Sequence, residues 1–269
     1  MITFIVTLEC KGSEILVMKR IEIIIKVMSI AFFIVLWHFL VVLKVIPLAI
    51  PSPVDVAKVY TSTFFVEHIL GAILSSLEHV VVGFGLALMV AVPLGMFMGW
   101  FKPIEFTISP IVELFRPIPP IAWVAFALIT FRNYLHVSAF IIFVGAFFPI
   151  LTNTVHGFRT VSIEYIEVAR SFGASKKDLL TKIALPHALP DILTGVKVGL
   201  GVGWMCVIAA EMFGAPGLGW IIIQMEYIHN LEAVMAFMFV VGALGFCMEQ
   251  GLKFLEAKVL RWQRGLVRG

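Results

Sequence analysis

Apolar residues run along this chain in blocks close to the length of a membrane-crossing helix, separated by short clusters of charge. A helix that crosses the hydrocarbon core of a bilayer needs about 20 mostly apolar residues. Charge-free intervals near that length lie between Lys26 and Lys44, Glu78 and Lys102, Arg132 and Arg159, and Glu232 and Glu249. Two further blocks are interrupted. One begins at Pro110 and passes through Arg116-Pro-Ile-Pro-Pro120 to Phe131, and the other begins near Pro190 and carries Lys197 and Glu211. The pattern predicts six transmembrane helices, of which the third and fifth are broken or polar. Such segments are tolerated in lipid where they face protein or a water-filled cavity, so these two are candidate walls of a pathway.

Composition sharpens the class. Of 269 residues, 61% are hydrophobic and 14% charged, with a mean hydropathy of +1.04, whereas soluble domains carry about 25% charged residues. A water-soluble enzyme, a disordered chain and a nucleic-acid-binding module are excluded. A membrane β-barrel would alternate apolar and polar residues instead of running apolar for so long. The chain reads as an all-α polytopic membrane protein. With the N-terminus placed in the cytoplasm, fifteen Lys and Arg fall on the inner segments and three, Lys44, Lys58 and Arg132, on the outer ones. The positive-inside rule then puts both termini in the cytoplasm. The expected organisation is an N-terminal cytoplasmic segment over 1–22, a transmembrane domain over 23–257 and a basic tail over 258–269. The opening residues do not make a signal peptide, since Glu9, Lys11 and Glu14 follow a short apolar stretch, and Met18 is an alternative start. Cys10, Cys206 and Cys247 are too few and too scattered for a disulfide framework or a metal site. The seven His show no HExxH or i,i+4 pair, so no metal is expected.

The one sizeable cytoplasmic loop, 158–189, has the signals of two short helices meeting at a glycine. Ser162 is placed to cap the first, with Glu164 in its first turn, and Gly173 to leave it in a left-handed conformation. Ser175-Lys-Lys-Asp178 fits a capping box opening the second, which Pro186 is expected to end.

Within this loop Glu167, Ala169, Gly173, Ile183, Leu185 and Pro186 follow the order E-x-A, three residues, G, nine residues, I, one residue, L-P. The segment resembles the EAA loop of ABC-importer permeases, with Val168 in place of the middle alanine. Ile50-Pro51-Ser52-Pro53, Phe115 to Pro120, Phe147 to Thr154, Ala209 to Met212 and Gly214 to Trp220 extend the likeness to permeases that import nitrate, sulfonates, taurine and bicarbonate. Ile129 to Asn133 replaces the Trp-Phe-Gly-like segment that often follows the third span there. The resemblance implies a type I ABC-importer permease fold in the inner (cytoplasmic) membrane. It also implies two permease copies, ATPase subunits that seat the EAA loop, and an external substrate-binding protein. ATP and magnesium would be bound by the ATPase and no cofactor by this chain, which has no Walker A motif and no catalytic residues.

The remaining candidates are pathway or gate residues. Arg116 and Lys197 are possible counter-charges, Asn153 lies near the inner end of the fourth span, and Glu211 ends the fifth. Lys197 could instead snorkel to the interface, and Glu211 could instead fix the turn from Gly214 to Gly219. Gly195, Gly199 and Gly203 line one face of the fifth helix, and Gly95 and Gly99 repeat the device in the second. The stripe on the fifth helix could pack within the subunit or against a second copy. A small organic or inorganic anion is the expected solute. The competing readings are a membrane-embedded enzyme, a secondary transporter, and the transmembrane component of an energy-coupling vitamin transporter.

Overall fold

The computed structural model describes residues 21, 24–43 and 50–261. Expectations that concern Cys10, Met18, Lys44 and the tail past Arg261 lie outside them. Among the described residues every regular element is helical. Five helices are long and apolar enough to cross a membrane, and a bent pair makes a sixth.

The first span, α1 (Ile24–Val42), has no fully buried residue and packs Trp37 against Phe239, their ring centroids 5.9 Å apart. A short helix α2 (Pro53–Val59), capped by Ser52, precedes the second span. That span is the 38-residue α3 (Thr63–Trp100), opened by Ser62, whose side chain accepts from Phe65 N. At 1.5 Å per residue it extends about 57 Å, nearly twice the hydrocarbon thickness. It therefore starts fifteen residues before Glu78, because a helix leaving the bilayer needs no apolar composition.

The third span departs further from expectation. Helix α4 (Lys102–Phe115) starts eight residues before Pro110, which lies inside it. It stops at Arg116, and after Pro117 and Pro119 a 3₁₀ turn (Pro120–Ala122) leads into α5 (Trp123–Thr130). The two halves are bent by 78°. Prolines supply no N–H and hold the preceding residue extended, so a helix cannot run through this segment. With 14 and 8 residues the halves reach only about 21 and 12 Å, and neither crosses the core alone.

The fourth span, α6 (Tyr134–Arg159), is capped by Asn133 and ends with His156 and Arg159 in its last turn, where positive charge complements the helix dipole. Beyond α7 (Ile163–Ser171) and α8 (Lys176–Asp178), a π-helical turn over Leu179–Ala184 passes directly into α9 (Leu185–Glu211). Two expectations are corrected here. Pro186 does not end the second loop helix, and the fifth span does not begin near Pro190: one helix runs from Lys176 to Glu211. The reason is local. Leu185 N–H reaches back five residues to Leu180 O, widening the turn just before Pro186, which then occupies the first turn of α9, where its missing N–H leaves no bond unmade. Helix α10 (Leu218–Tyr227) follows a glycine-rich turn, and the sixth span, α11 (Leu231–Val259), outruns the Glu232–Glu249 interval by ten residues at its end.

Helix α6 is the centre of the molecule, sandwiched between α3 and α9, and glycines set both contacts. A Cβ at Gly95 or Gly99 would come within 2.7 Å of Thr154 Cβ or 2.6 Å of Phe158 Cβ on α6. On the other side, a Cβ at Gly195 or Gly199 would lie 2.7 Å from Asn153 Cβ or 2.8 Å from Ile150 Cγ1. Both stripes thus pack within the subunit, where small residues let helices approach through dispersion contacts that lipid cannot replace.

Candidate functional site

The 158–189 loop forms as its caps dictate. Ser162 Oγ accepts from Glu164 N at 3.3 Å, and Gly173 turns the chain at φ +82°. Ser175 and Asp178 form a reciprocal capping box, Asp178 N donating to Ser175 Oγ and Ser175 N to the Asp178 carboxylate, each at 3.2 Å. Lys182 at 2.6 Å, together with Ser175, holds the Asp178 carboxyl at about 2, well below its usual range. One side of the loop is anchored. Ile166, Leu180 and Ile183 pack on a cluster of Phe158, Val161, Ala184, Ala188 and Ile192 together with Met96 and Trp100 of α3.

The other side is bare. Tyr165, Val168 and Phe172, spaced three and four apart and so on one face of α7, are 58%, 57% and 87% exposed. Glu167 and Gly173 are exposed and Ala169 is half-buried. Of the remaining motif residues, Leu185 and Pro186 are exposed and Ile183 faces the anchor.

The pathway candidates separate into four places. Arg116 and Asn153 come together, lining a cavity of about 300 Å³ with Pro120, Thr152 and Val202. A second cavity of about 300 Å³ shares Arg116 and Thr152 and adds Ser109, Glu113, His156 and Arg159. Ser109, Glu113 and Arg116 follow helical spacing on α4, as Thr152, His156 and Arg159 do on α6. Two polar faces therefore meet in a groove leading from the proline break to the loop end of the bundle. Arg159 pairs there with Glu105.

Lys197 is elsewhere, between α9 and α11, its Nζ 2.8 Å from both carboxylate oxygens of Glu256. Gly199 and Gly203 are buried against α6. Glu211, at the opposite end of α9 from the loop, has no exposed surface. Its Oε2 accepts from Ser76 Oγ and from Gly219 N, both at 2.9 Å, and its Oε1 accepts from His79 Nδ1–H at 2.9 Å. Ser76 Oγ in turn accepts from Leu218 N at 3.0 Å. A Cβ at Gly217 would sit 2.2 Å from the Glu211 carboxylate carbon, so only glycine fits there. A buried carboxylate requires such donors, and this one ties α3, α9 and the turn before α10 into one knot. Ser76 and His79 escaped the sequence reading; the available signal was two polar residues at i,i+3 on one face of an apolar helix.

Among the described residues the chain is a helical bundle with membrane-length spans, a glycine-cornered loop and a proline-broken span. Residues 91–261 match the binding-protein-dependent transport system inner membrane component, and the chain belongs to this family of ABC-transporter permeases. It is similar to an ABC transporter permease protein of Methanocaldococcus jannaschii, 37% identical over 251 residues, 90% of this chain and 93% of that one. It also resembles the bicarbonate transport system permease protein CmpB of Synechococcus elongatus, 34% identical over 70% of this chain and 68% of that one. The taurine transport system permease protein TauC of Escherichia coli is 29% identical over 90% of each. The fold superposes on the MetNI methionine ABC transporter with a TM-score of 0.66 at 21% identity, covering 74% of this chain and 99% of that one.

Proposed function

We propose that this permease moves a small anion, such as bicarbonate, nitrate, taurine or another sulfonate, inward across the cytoplasmic membrane. ATP and magnesium act on separate ATPase subunits, and the solute arrives on an external binding protein. The observation that carries the reading is α7, whose bare apolar face of Tyr165, Val168 and Phe172 hangs at a glycine corner while its opposite side is clamped to α3 and α9. An exposed apolar stripe costs free energy in water and fits a helix seated in a partner's groove. Glu167 adds an anion at the joint for basic groups of the ATPase.

The loop end is assigned to the cytoplasm by the fifteen-to-three distribution of Lys and Arg. The groove beside Arg116 and Asn153 supports a modestly polar route, with one cation to attract an anion and no cluster to trap it. Such a half-groove requires a second wall, which a second copy facing the first across a twofold axis would supply. The bicarbonate and taurine relatives favour an anionic solute.

ATP-driven uptake into vesicles, with Gly173→Pro and Glu167→Lys compared against wild type, tests the coupling role. Both variants should insert normally and lose uptake together with substrate-stimulated ATP hydrolysis. Normal uptake by Gly173→Pro would refute it.

A further inference from the structure

A cavity at the loop end lies beside the loop helices α7 and α8. It measures about 750 Å³ and is open to the surface. Its floor is apolar, formed by Trp100, Phe158, Val161, Leu179 and Leu180. Its rim is cationic, with Lys102 from the start of α4, Arg159 from the end of α6, Arg170 from α7, and Lys176 and Lys177 from α8. Arg159 is neutralised by Glu105, the one carboxylate lining the cavity. The nearby Asp178 is spent on Lys182 at 2.6 Å. Among the described residues no carboxylate pairs with Lys102, Arg170, Lys176 or Lys177, so the rim carries four uncompensated positive charges from three helices. They meet where α4 begins, α6 ends and the loop helices turn.

We infer that this cavity binds an anionic phospholipid, its phosphate held by Lys102, Arg170, Lys176 and Lys177 and the first part of its acyl chains lying on Trp100 and Leu180. A soluble phosphate would use the rim and leave the apolar floor wet, whereas a lipid satisfies both. The two walls of the cavity, α4 and the loop helices, belong to the groove and to the coupling joint respectively, so an occupant braces one against the other. The inference rests on the cytoplasmic placement of the loop proposed above. Interfacial attraction of a basic residue to anionic lipid corresponds to about a five-fold change in affinity per charge.

The test uses the transporter purified with its ATPase in a neutral detergent. Phosphatidylglycerol or phosphatidylcholine is titrated in, and native mass spectrometry counts the bound lipid. The wild type should prefer phosphatidylglycerol. K102Q should weaken that preference by about five-fold, and K176Q/K177Q by about twenty-five-fold. K102Q matters because Lys102 lies on α4, so its effect cannot be traced to disturbed helices of the loop. An unchanged preference in both variants would overturn the inference. So would displacement of the lipid by glycerol 3-phosphate at matching concentration, which would make this a free-phosphate site. A preference present in the permease alone but absent from the complex would also reject it, because the cavity would then be a seat for the ATPase. A transporter that keeps the lipid preference but does not retain an ATPase supports the lipid site and counts against the coupling reading instead.

Discussion

Phe172 offers the sharpest test of the proposed docking through α7. Its ring is 87% exposed at the end of α7, one residue before the chain turns at Gly173. Fully burying a Phe side chain is worth about 1.5–3 kcal/mol, so seating most of this ring in a partner groove contributes roughly 1.3–2.6 kcal/mol. That corresponds to about a 10- to 80-fold change in affinity. Phe172→Ser should therefore weaken binding of the ATPase to permease held in nanodiscs by that factor, read by surface plasmon resonance on the immobilised permease. Thermal unfolding of the permease alone should stay within about 0.5 kcal/mol of wild type, as for a surface substitution free of internal contacts. The pairing of readouts is the point. If affinity were unchanged, α7 would not dock through this face. If the subunit itself lost stability, Phe172 would be an internal packing residue and the exposed stripe would have a different meaning.

Other substitutions test the rest of the structure. Glu211→Ala should destabilise the subunit by several kcal/mol, since it strands buried donors from Ser76, His79 and Gly219 at about 1–3 kcal/mol each; a melt in detergent equal to that of wild type would contradict the knot. Gly199→Leu should overpack the α6–α9 contact at a cost of at least 1–3 kcal/mol, and normal yield and melting would show that the helices separate without penalty. Arg116→Ala should lower anion uptake while leaving ATPase co-purification intact, and loss of assembly would make Arg116 a structural residue. Because the Asp178 carboxyl is held at about 2, below its unfolded range, the capping box contributes fully above the unfolded value and is lost as pH falls through the folded one. Hydrogen exchange of α8 should accordingly be independent of box protonation from roughly pH 5 to 8, after correction for intrinsic rates.

Local chemistry explains which features could be read ahead. Ser162, Gly173 and the Ser175–Asp178 box act within four residues, so spacing alone located the corner between α7 and α8. The run from Arg116 to Pro120 marked the broken third span because three prolines in four residues leave too few N–H groups to carry a helix across it. Pro186 misled for the opposite reason: in the first turn of α9, behind a π-turn, it costs little, and only the register of the preceding residues decides this, while Pro190 sits inside α9, where a membrane helix tolerates an isolated proline. The start of α3 at Thr63 was hidden by Glu67, His68 and Glu78, which end a hydropathy interval without ending a helix. Partnerships across the bundle left no local trace. Glu211 meets His79 across 132 residues and Lys197 meets Glu256 across 59, and no spacing rule reaches that far.

The same long-range contacts decide how a push at the loop can travel. From Lys176 to Glu211 the chain is one helix of 36 residues, about 54 Å from end to end. Its near end carries the glycine corner at Gly173, and its far end carries the carboxylate knot that holds Ser76, His79 and the turn before α10. Between them Gly195 and Gly199 lock it to α6, and Gly95 and Gly99 lock α6 to α3, at separations too close for sliding without loss of packing. The α3–α6–α9 sandwich is thus a stiff body spanning from the loop to the knot. Helices α4 and α5 pack on its flank, α4 through Ile104, Ile108 and Val112 and α5 through Val124 and Ala127, and they are jointed at Arg116 to Pro119, where the bond from Ile118 N–H to Phe115 O closes a turn and not a helical ladder. A displacement of α7 therefore moves the sandwich as a unit and changes its fit against α4 and α5, along the cavities lined by Arg116, Thr152 and Asn153. Distance measurements between spin labels should then show fixed separation within the sandwich and a changing one between α5 and α6 as ATP is bound and released. A change between α6 and α9 of more than about 2 Å would place the hinge inside the packed body and refute this account.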